Sequence, residues 1–248
     1  MKALLLGQEA FKIAPLLNAK GHKTFCVTDP VTELAPYDII ISFGYRHIIP
    51  KALLDTATCD AFNVHISLLP LNRGAHPNFW AHYDGTPSGV TIHKLDAHID
   101  TGPILDQQTV VFDNTDTTFE HTYNRLIARG HDMLEQNIHR IINRAYFLRP
   151  QIGRGTYHRT SDLPEHFSGW DSDIDTEIPR LLAIERAQNL RRKLIINQIE
   201  ETRSRNNVNW MDILRLSFRH APHDAEKIIA RINADDIKIS ELFKQLGS

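Results

Sequence analysis

Short apolar segments alternate with a helical segment at the start of the chain, and this alternation limits the possible folds. Apolar runs at residues 2–6, 23–27 and 39–43 have the length and composition of buried strands. Residues 9–20, between the first two runs, show helical periodicity and are followed by Gly21. Strands joined through helices form a mostly parallel sheet with helices on both faces, because parallel neighbours need a crossover connection. The sequence therefore predicts an α/β fold of this kind.

A glycine follows the first predicted strand, where Rossmann-like folds that bind dinucleotides carry a glycine-rich turn. The turn here reads Gly7-Gln8-Glu9 and lacks the G-x-G-x-x-G pattern that brings the backbone against a pyrophosphate. This absence disfavours a nicotinamide or flavin cofactor. We therefore expect a Rossmann-like sheet that does not bind a dinucleotide.

Charge, cysteine content and hydropathy disfavour several functional classes. A formal net charge of -2 gives the chain no overall attraction to nucleic acid or to a membrane surface. Two cysteines, Cys26 and Cys59, supply neither a disulfide framework nor a zinc cluster, and suit a reducing compartment. Residues 1–7 lack the long apolar region of a signal peptide, and no apolar stretch is long enough to cross a bilayer. We therefore expect a soluble cytoplasmic protein.

Three polar residues in the middle of the chain are spaced so that they can converge. Asn63 and His65 lie two residues apart at the end of a predicted strand, so both side chains point to the same face. Asp100 follows a second strand-like run at residues 89–95. A lone strand histidine is usually a hydrogen-bonded core residue, but the nearby amide and the downstream carboxylate favour a catalytic role here. An amide donor, an imidazole and a carboxylate are together suited to acyl-group transfer.

The motifs around these residues resemble those of the formyltransferases that use N10-formyltetrahydrofolate, over about the first 150 residues. The motifs in order are Asn63-x-His65, Ser67-Leu68-Leu69-Pro70, Arg73-Gly74, Gly89-Val90-Thr91-Ile92 and Asp100-x-Gly102. The resemblance implies transfer of a formyl group from N10 of the cofactor to a primary amine, without a metal. It also implies that Asn63 stabilises the oxyanion of the tetrahedral intermediate, His65 acts as the base and Asp100 orients His65.

The same resemblance suggests where the cofactor binds. Members of the family hold the pterin ring largely through backbone groups of two loops. One loop follows the third predicted strand and the other precedes the aspartate. The residues expected to contact the cofactor are His47, Ile49, Asp96, Ala97, His98 and Asp100.

The segment after the Arg-Gly pair indicates the class of acceptor. It reads Gly74-Ala75-His76-Pro77-Asn78-Phe79-Trp80 and resembles the family members that formylate nucleotide-linked amino sugars, such as a 4-amino-4,6-dideoxyhexose. The predicted substrate contacts are Arg73, His76 and Asn78. Phe79 and Trp80 are expected in the core, because aromatic residues on a helix face usually pack there.

Other functions are compatible with the same residues. The main alternative acceptor is glycinamide ribonucleotide, and a hydrolase that releases formate from the same cofactor would use the same three side chains. A non-catalytic module that binds folate or a sugar nucleotide is a third possibility. A metal-assisted hydrolase built on His65, His93 and Asp100 is a fourth, although the histidines show no familiar ligand spacing.

The chain is expected to have three parts. A formyltransferase catalytic domain would span residues 1–150, a linker with a hairpin beside the site residues 151–177, and a helical region residues 178–248. Within the last part, one apolar cluster comprises Trp210, Met211, Ile213 and Leu214, and a second comprises Leu242, Phe243 and Leu246. These clusters need a covering surface, either the catalytic domain or a second copy of the chain, and we expect a homodimer.

Overall fold

The computed structural model describes residues 1–246, and the side chains of all of these except 203–209, 239 and 242–246. The predicted second apolar cluster therefore lies outside the described side chains. The chain divides into two compact units, a larger one over Met1–Leu182 and a smaller one that begins at Ala183.

Over residues 1–246 the structure has eight strands and six α-helices. The strands are β1 (Lys2–Leu6), β2 (Lys23–Val27), β3 (Ile39–Phe43), β4 (Ala61–His65), β5 (Arg73–Gly74), β6 (Gly89–Lys94), β7 (Ile104–Thr109) and β8 (Tyr157–His158). The helices are α1 (Ala14–Ala19), α2 (Lys51–Leu54), α3 (Pro77–Tyr83), α4 (Phe119–Ile142), α5 (Ile174–His220) and α6 (Pro222–Leu246).

Six strands form the central sheet, in the order β2-β1-β3-β4-β6-β7. Strands β1 to β4 run parallel to one another, whereas β6 is antiparallel to both β4 and β7. Strands β5 and β8 form a separate parallel pair. The predicted mostly parallel α/β sheet is therefore confirmed, and the change of direction at β6 is the feature that the sequence pattern did not predict.

Hydrophobic cores cover both faces of the sheet. Alternate residues of β1 enter different cores: Leu5 packs with Met133 and Leu134 of α4, and Leu4 packs with Leu34 and Ile40 on the other face. All six of these side chains are buried. Because both faces are covered, strands such as β1 and β3 have almost continuously apolar sequences rather than alternating apolar and polar residues.

A third, aromatic cluster supports the segment that follows β5. Phe79 and Trp80 of α3 pack with Phe119 at the start of α4 and with Leu181. Phe79 is fully buried and Trp80 is only 6% exposed, as their expected core role requires. This packing fixes the position of the loop before α3, which borders the candidate site.

The smaller unit consists of the later part of α5 together with α6, joined at Ala221. Many of its described apolar side chains remain open to solvent, among them Leu190, Ile213, Leu216 and Ile237, each more than half exposed. Within residues 1–246, no helix combines the length and the hydropathy that crossing a membrane requires.

Candidate active site

A cavity of about 890 Å³ opens at the carboxyl ends of β3 and β4. Open α/β sheets generally bind their ligands at this edge. The walls come from the loop after β3, the loop at residues 95–100, the segment at residues 74–77 and the segment at residues 157–160. Asn63, His65 and Asp100 all line this cavity, so the fold brings the three predicted catalytic residues to one place.

The two β4 residues reach the cavity because they share one face of the strand. Phe62 and Val64 point to the opposite side and are buried in the core beneath α4. Asn63 is half-buried, and His65 is 8% exposed. Phe62 and Val64 thus hold the strand against the core and leave the amide and the imidazole at the cavity wall.

The hydrogen bond of His65 identifies the ring nitrogen that is available for chemistry. Its Nε2 lies 2.9 Å from the carbonyl oxygen of Asn72. A carbonyl oxygen can only accept, so Nε2 carries a hydrogen and donates it. The other nitrogen, Nδ1, lies 3.6 Å from Oδ2 of Asp100. A proton taken up by His65 therefore goes to Nδ1, beside the carboxylate.

Asp100 is a buried carboxylate that a backbone amide and two neighbouring imidazoles keep charged. Its Oδ2 accepts a hydrogen bond of 2.9 Å from the Gly74 amide, and its Oδ1 lies 3.4 Å from Nε2 of His93. Burial alone would raise the pKa of Asp100, but His65, His93 and the Gly74 amide outweigh burial and hold that pKa well below its usual range. Asp100 is therefore ionised at neutral pH.

His93 joins the predicted residues into one network, and the motifs did not indicate this role. It sits on β6 directly opposite Asn63 in the antiparallel register. Its Nδ1 lies 3.0 Å from the Lys94 carbonyl oxygen and so carries a hydrogen. Its Nε2 lies 3.2 Å from Nδ2 of Asn63, within reach to accept a hydrogen bond from that amide. His93 thus contacts both the amide and the carboxylate.

The metal-assisted alternative has no matching geometry. Among the side chains that the structure describes, no group of three or more histidine, cysteine, aspartate and glutamate residues is arranged to hold a metal ion. In the set considered for that alternative, one nitrogen of His65 and one of His93 donate to backbone carbonyls.

All the residues predicted to contact a cofactor line the same cavity. They are His47, Ile49, Asp96, Ala97, His98 and Asp100. Asp96 orders its loop, because its Oδ1 accepts hydrogen bonds from the His98 amide at 3.1 Å and from the Thr101 hydroxyl at 2.7 Å. The two loops therefore face the cavity, as a ligand held mainly by backbone groups requires.

Of the three residues predicted to contact the acceptor substrate, one lines the cavity and two do not. His76 lines the cavity, its ring lies 5.1 Å from that of Trp170, and burial lowers its pKa. Asn78 is buried and its amide donates to the Phe119 carbonyl and the Thr122 hydroxyl. The guanidinium of Arg73 donates to Gln151. The side chains of Arg73 and Asn78 therefore make their hydrogen bonds within the protein, and neither residue lines the cavity.

The last wall of the cavity comes from β8 and the residues after it, Tyr157 to Thr160. This segment was predicted as a hairpin, but it instead pairs in parallel with β5, matching Arg73 to Tyr157 and Gly74 to His158. Gly74 permits the approach, since a Cβ there would lie 2.3 Å from the His158 carbonyl oxygen. The His158 ring stacks on Trp80 with centroids 3.9 Å apart.

Comparison with known proteins identifies a family for this site. The family model described as formyl transferase matches residues 11–138. The methionyl-tRNA formyltransferase of Geotalea daltonii is 39% identical over 113 residues, which is 45% of this chain and 36% of the relative. The dTDP-4-amino-4,6-dideoxyglucose formyltransferase of Mycobacterium bovis is 29% identical over 153 residues, which is 61% of this chain and 64% of the relative. The chain thus spans between 36% and 64% of the length of these two curated relatives.

A solved structure extends the similarity over more of the chain. It is the formyltransferase PseJ from Anoxybacillus kamchatkensis, in complex with UDP-4,6-dideoxy-4-formamido-L-AltNAc and tetrahydrofolate. The two proteins are 32% identical, with a TM-score of 0.66, over 71% of this chain and 96% of the other. The family model covers just over half of the sequence, and the cavity carries the residues that the shared motifs predict. This chain belongs to the formyl transferase family.

Proposed function

We propose that this protein transfers a formyl group from N10-formyltetrahydrofolate to the primary amine of a nucleotide-linked amino sugar. The observation that carries the proposal is the convergence of Asn63, His65 and Asp100 on one cavity at the carboxyl edge of the sheet. A relative that is 32% identical binds tetrahydrofolate together with a formamido sugar nucleotide, which supports both the cofactor and the class of acceptor.

The loop after β3 has the donors that a flat heterocycle would need. In the described part of the chain, the backbone N–H groups of Arg46, His47 and Ile48 donate to no protein acceptor. Unpaired backbone groups beside a cavity are available to a ligand whose edge alternates donors and acceptors. These groups fit the pterin ring of a folate, and the bound cofactor would supply the formyl group.

Asn63 is the proposed oxyanion donor, and His93 orients it. Because the His93 Nε2 can accept one N–H of the Asn63 amide, that amide presents nitrogen rather than oxygen on this side. The second N–H remains available to the formyl oxygen as negative charge develops. One such donor typically contributes about 2.7–4 kcal/mol to the stability of the transition state.

His65 is the proposed acceptor of the amine proton, and N10 of the departing tetrahydrofolate would take up a proton as its bond to the formyl carbon breaks. Its free nitrogen, Nδ1, faces the charged carboxylate of Asp100 at 3.6 Å, so the imidazolium that forms is stabilised in place. A positioned general base of this kind typically contributes about 10²- to 10⁴-fold to the rate. Asp100 also accepts from the Gly74 amide, which fixes the direction in which the carboxylate points.

Two arginines in the cavity wall suit an anionic substrate. Arg46 and Arg159 both line the cavity and are exposed, and neither pairs with a carboxylate among the described side chains. Arginine binds diphosphate oxygens well because its planar fork donates to two of them at once. His76 lines the same cavity and is the proposed contact to the sugar.

The smaller unit is proposed to form a homodimer with a second copy of itself. Leu190 and Ile213 of α5 are 59% and 55% exposed, and Ile237 of α6 is 55% exposed. The backbone hydrogen bonds at Ala221 keep the i to i−4 spacing of a helix, from Ala221 to Ser217 and from Ala225 to Ala221, so α6 continues from α5 without a reversing loop. Apolar side chains exposed along such helices need a covering surface. Pairing with the same helices of a second copy would cover these side chains and give a dimer with two-fold symmetry.

The experiment is to incubate the protein with N10-formyltetrahydrofolate and a panel of amines, and to follow products by mass spectrometry. The panel contains nucleotide-linked 4-amino-4,6-dideoxyhexoses, the corresponding 3-amino sugars, glycinamide ribonucleotide and methionyl-tRNA. We expect one formyl group to be added to at least one amino sugar and none in the His65→Ala control. Formylation of glycinamide ribonucleotide or of methionyl-tRNA alone would replace the proposed acceptor, and no product from any amine would refute the proposal.

A further inference from the structure

A chain of hydrogen bonds ties β5 to the turn that carries the catalytic aspartate, and its central member is Gln151. The Oε1 of Gln151 accepts from Nη2 and Nε of Arg73 at 2.6 and 3.2 Å. The Nε2 of Gln151 donates to the carbonyl oxygens of Asp100 and Gly102 at 2.9 and 2.8 Å. One half-buried side chain thus joins segments that lie 78 and 51 residues away in the sequence.

The orientation of the Gln151 amide follows from its partners. Arg73 has only N–H donors to offer, so it must face the amide oxygen. The carbonyl oxygens of Asp100 and Gly102 can only accept, so they must face the amide nitrogen. If the amide were flipped, its NH₂ group would face the N–H donors of Arg73 and its oxygen would face the two carbonyl oxygens. Both ends of this side chain are therefore used, and neither is free for a substrate.

The turn that Gln151 holds has a backbone that needs support. Asp100 has a φ of 54°, in the left-handed region that residues with a side chain rarely adopt. Its carboxylate must nevertheless point at the Gly74 amide and at the rings of His65 and His93. Strained backbone conformations persist at functional sites only where the surrounding structure fixes them. The two hydrogen bonds from Gln151 close the turn on either side of Thr101.

We propose that Gln151 is a positioning residue that clamps the turn at residues 100–102, with Arg73 as its anchor, so that the Asp100 carboxylate stays on the Gly74 amide and beside His65. This proposal gives a role to Arg73, which belongs to the Arg73-Gly74 motif but does not line the cavity. Only the expected loss of turnover rests on the proposed function, whereas the structural effect of the clamp does not.

Amide hydrogen exchange, followed residue by residue by NMR, tests the structural part without any substrate. The Gly74 amide is bonded to the Asp100 carboxylate, and the Ala75 amide beside it is bonded to the His158 carbonyl oxygen at 2.9 Å. In Gln151→Glu, the new carboxylate still pairs with Arg73 but cannot donate to the two carbonyl oxygens. We expect Gly74 to exchange at least about tenfold faster in this variant and in Gln151→Ala, as the loss of one hydrogen bond implies. Ala75 should exchange at the wild-type rate.

Two exchange results would overturn the proposal. Unchanged exchange at Gly74 in Gln151→Glu would show that the carboxylate keeps its place without the clamp. Equal acceleration at Gly74 and Ala75 would show that Gln151 supports the whole β5–β8 pair rather than the turn. If the protein fails to transfer formyl groups at all, these results still decide the clamp.

Turnover provides the second readout, with Gln107 as the matched control. The Nε2 of Gln107 also makes two hydrogen bonds, to the Leu69 carbonyl and the Thr91 hydroxyl at 2.8 Å each, but it does not contact Asp100. We expect Gln151→Glu to lower kcat at least about tenfold with KM for both substrates nearly unchanged, because only the geometry of the base and its carboxylate is altered. Gln107→Ala should leave kcat within about threefold of wild type. An equal loss in both variants would contradict the proposal.

Discussion

Replacing Asp100 with asparagine removes one negative charge from the candidate site while keeping a side chain of nearly the same shape. The amide oxygen of the new residue can accept the hydrogen bond from Gly74, and its NH₂ group can face Nε2 of His93. We therefore expect Asp100→Asn to fold. What it loses is the charge that stabilises a protonated His65.

The distance between the two groups sets the size of the effect. For opposite unit charges 3.6 Å apart, an effective dielectric constant of about 20 gives about 4.6 kcal/mol. That energy corresponds to about 10³-fold in rate. The carboxylate is 11% exposed, so some solvent screening remains and this value is a ceiling. We predict a loss of about 10²- to 10³-fold in kcat for Asp100→Asn.

The assay is formyl transfer to the best amino sugar of the panel, with product measured by mass spectrometry under saturating donor. The Thr101→Ser variant provides a matched control, because its hydroxyl keeps the contact with Asp96 and it does not alter the charge. Circular dichroism and thermal unfolding verify that both variants are folded. A kcat for Asp100→Asn within about threefold of wild type would refute the view that this carboxylate stabilises the protonated base.

Four further predictions follow from the geometry of the site and of the smaller unit. Asn63→Ala and His65→Ala should each lower turnover at least about a hundredfold with donor affinity nearly unchanged, and near-normal turnover of either variant would remove that residue from the mechanism. His76→Ala should raise KM for the amino sugar severalfold without changing KM for the donor. Asn78→Ala should mainly lower the free energy of unfolding, by about 1–3 kcal/mol, because its buried hydrogen bonds are lost. A destabilised His76→Ala together with a raised KM in Asn78→Ala would reverse these assignments. The pKa of Asp100 lies below its ordinary value of 3.8, so wild type should be more stable than Asp100→Asn in urea unfolding by an amount that is constant above pH 3.8 and shrinks below it. A difference in unfolding free energy that grows on acidification would contradict a lowered pKa. Light scattering should give about twice 28.4 kDa for the full chain, and the double variant Ile213→Glu with Leu216→Glu should lower this mass toward that of a monomer. A monomeric wild type at micromolar concentration would disprove the dimer.

Local periodicity was sufficient to predict the residues of the site that lie on one strand. The two-residue spacing of Asn63 and His65 determines that they share a face, whatever the rest of the fold does. The alternation of apolar runs with a helix was likewise enough to predict the parallel part of the sheet. These features depend on residues close together in the sequence, where geometry leaves few choices.

Residues brought in by distant pairing could not be predicted in the same way. His93 faces Asn63 only because β6 runs antiparallel to β4 in one register, and no short motif encodes that register. Gln151 and Asp100 are joined by a hydrogen bond across 51 residues of sequence, and no short motif encodes that contact. A motif also does not reveal the direction of each side chain within it, so Arg73 and Asn78 were assigned to the substrate although their donors are used inside the protein.

The fate of a labelled formyl carbon tests the central claim most directly. The protein would be incubated with N10-formyltetrahydrofolate carrying carbon-13 in the formyl group and with a nucleotide-linked 4-amino-4,6-dideoxyhexose, and the label would be followed by NMR. The proposed function predicts that the label appears as a formamide on the sugar nitrogen, and that His65→Ala abolishes its appearance. Release of the label as free formate, with the amino sugar unchanged, would contradict transfer and would identify the protein as a hydrolase of the same cofactor.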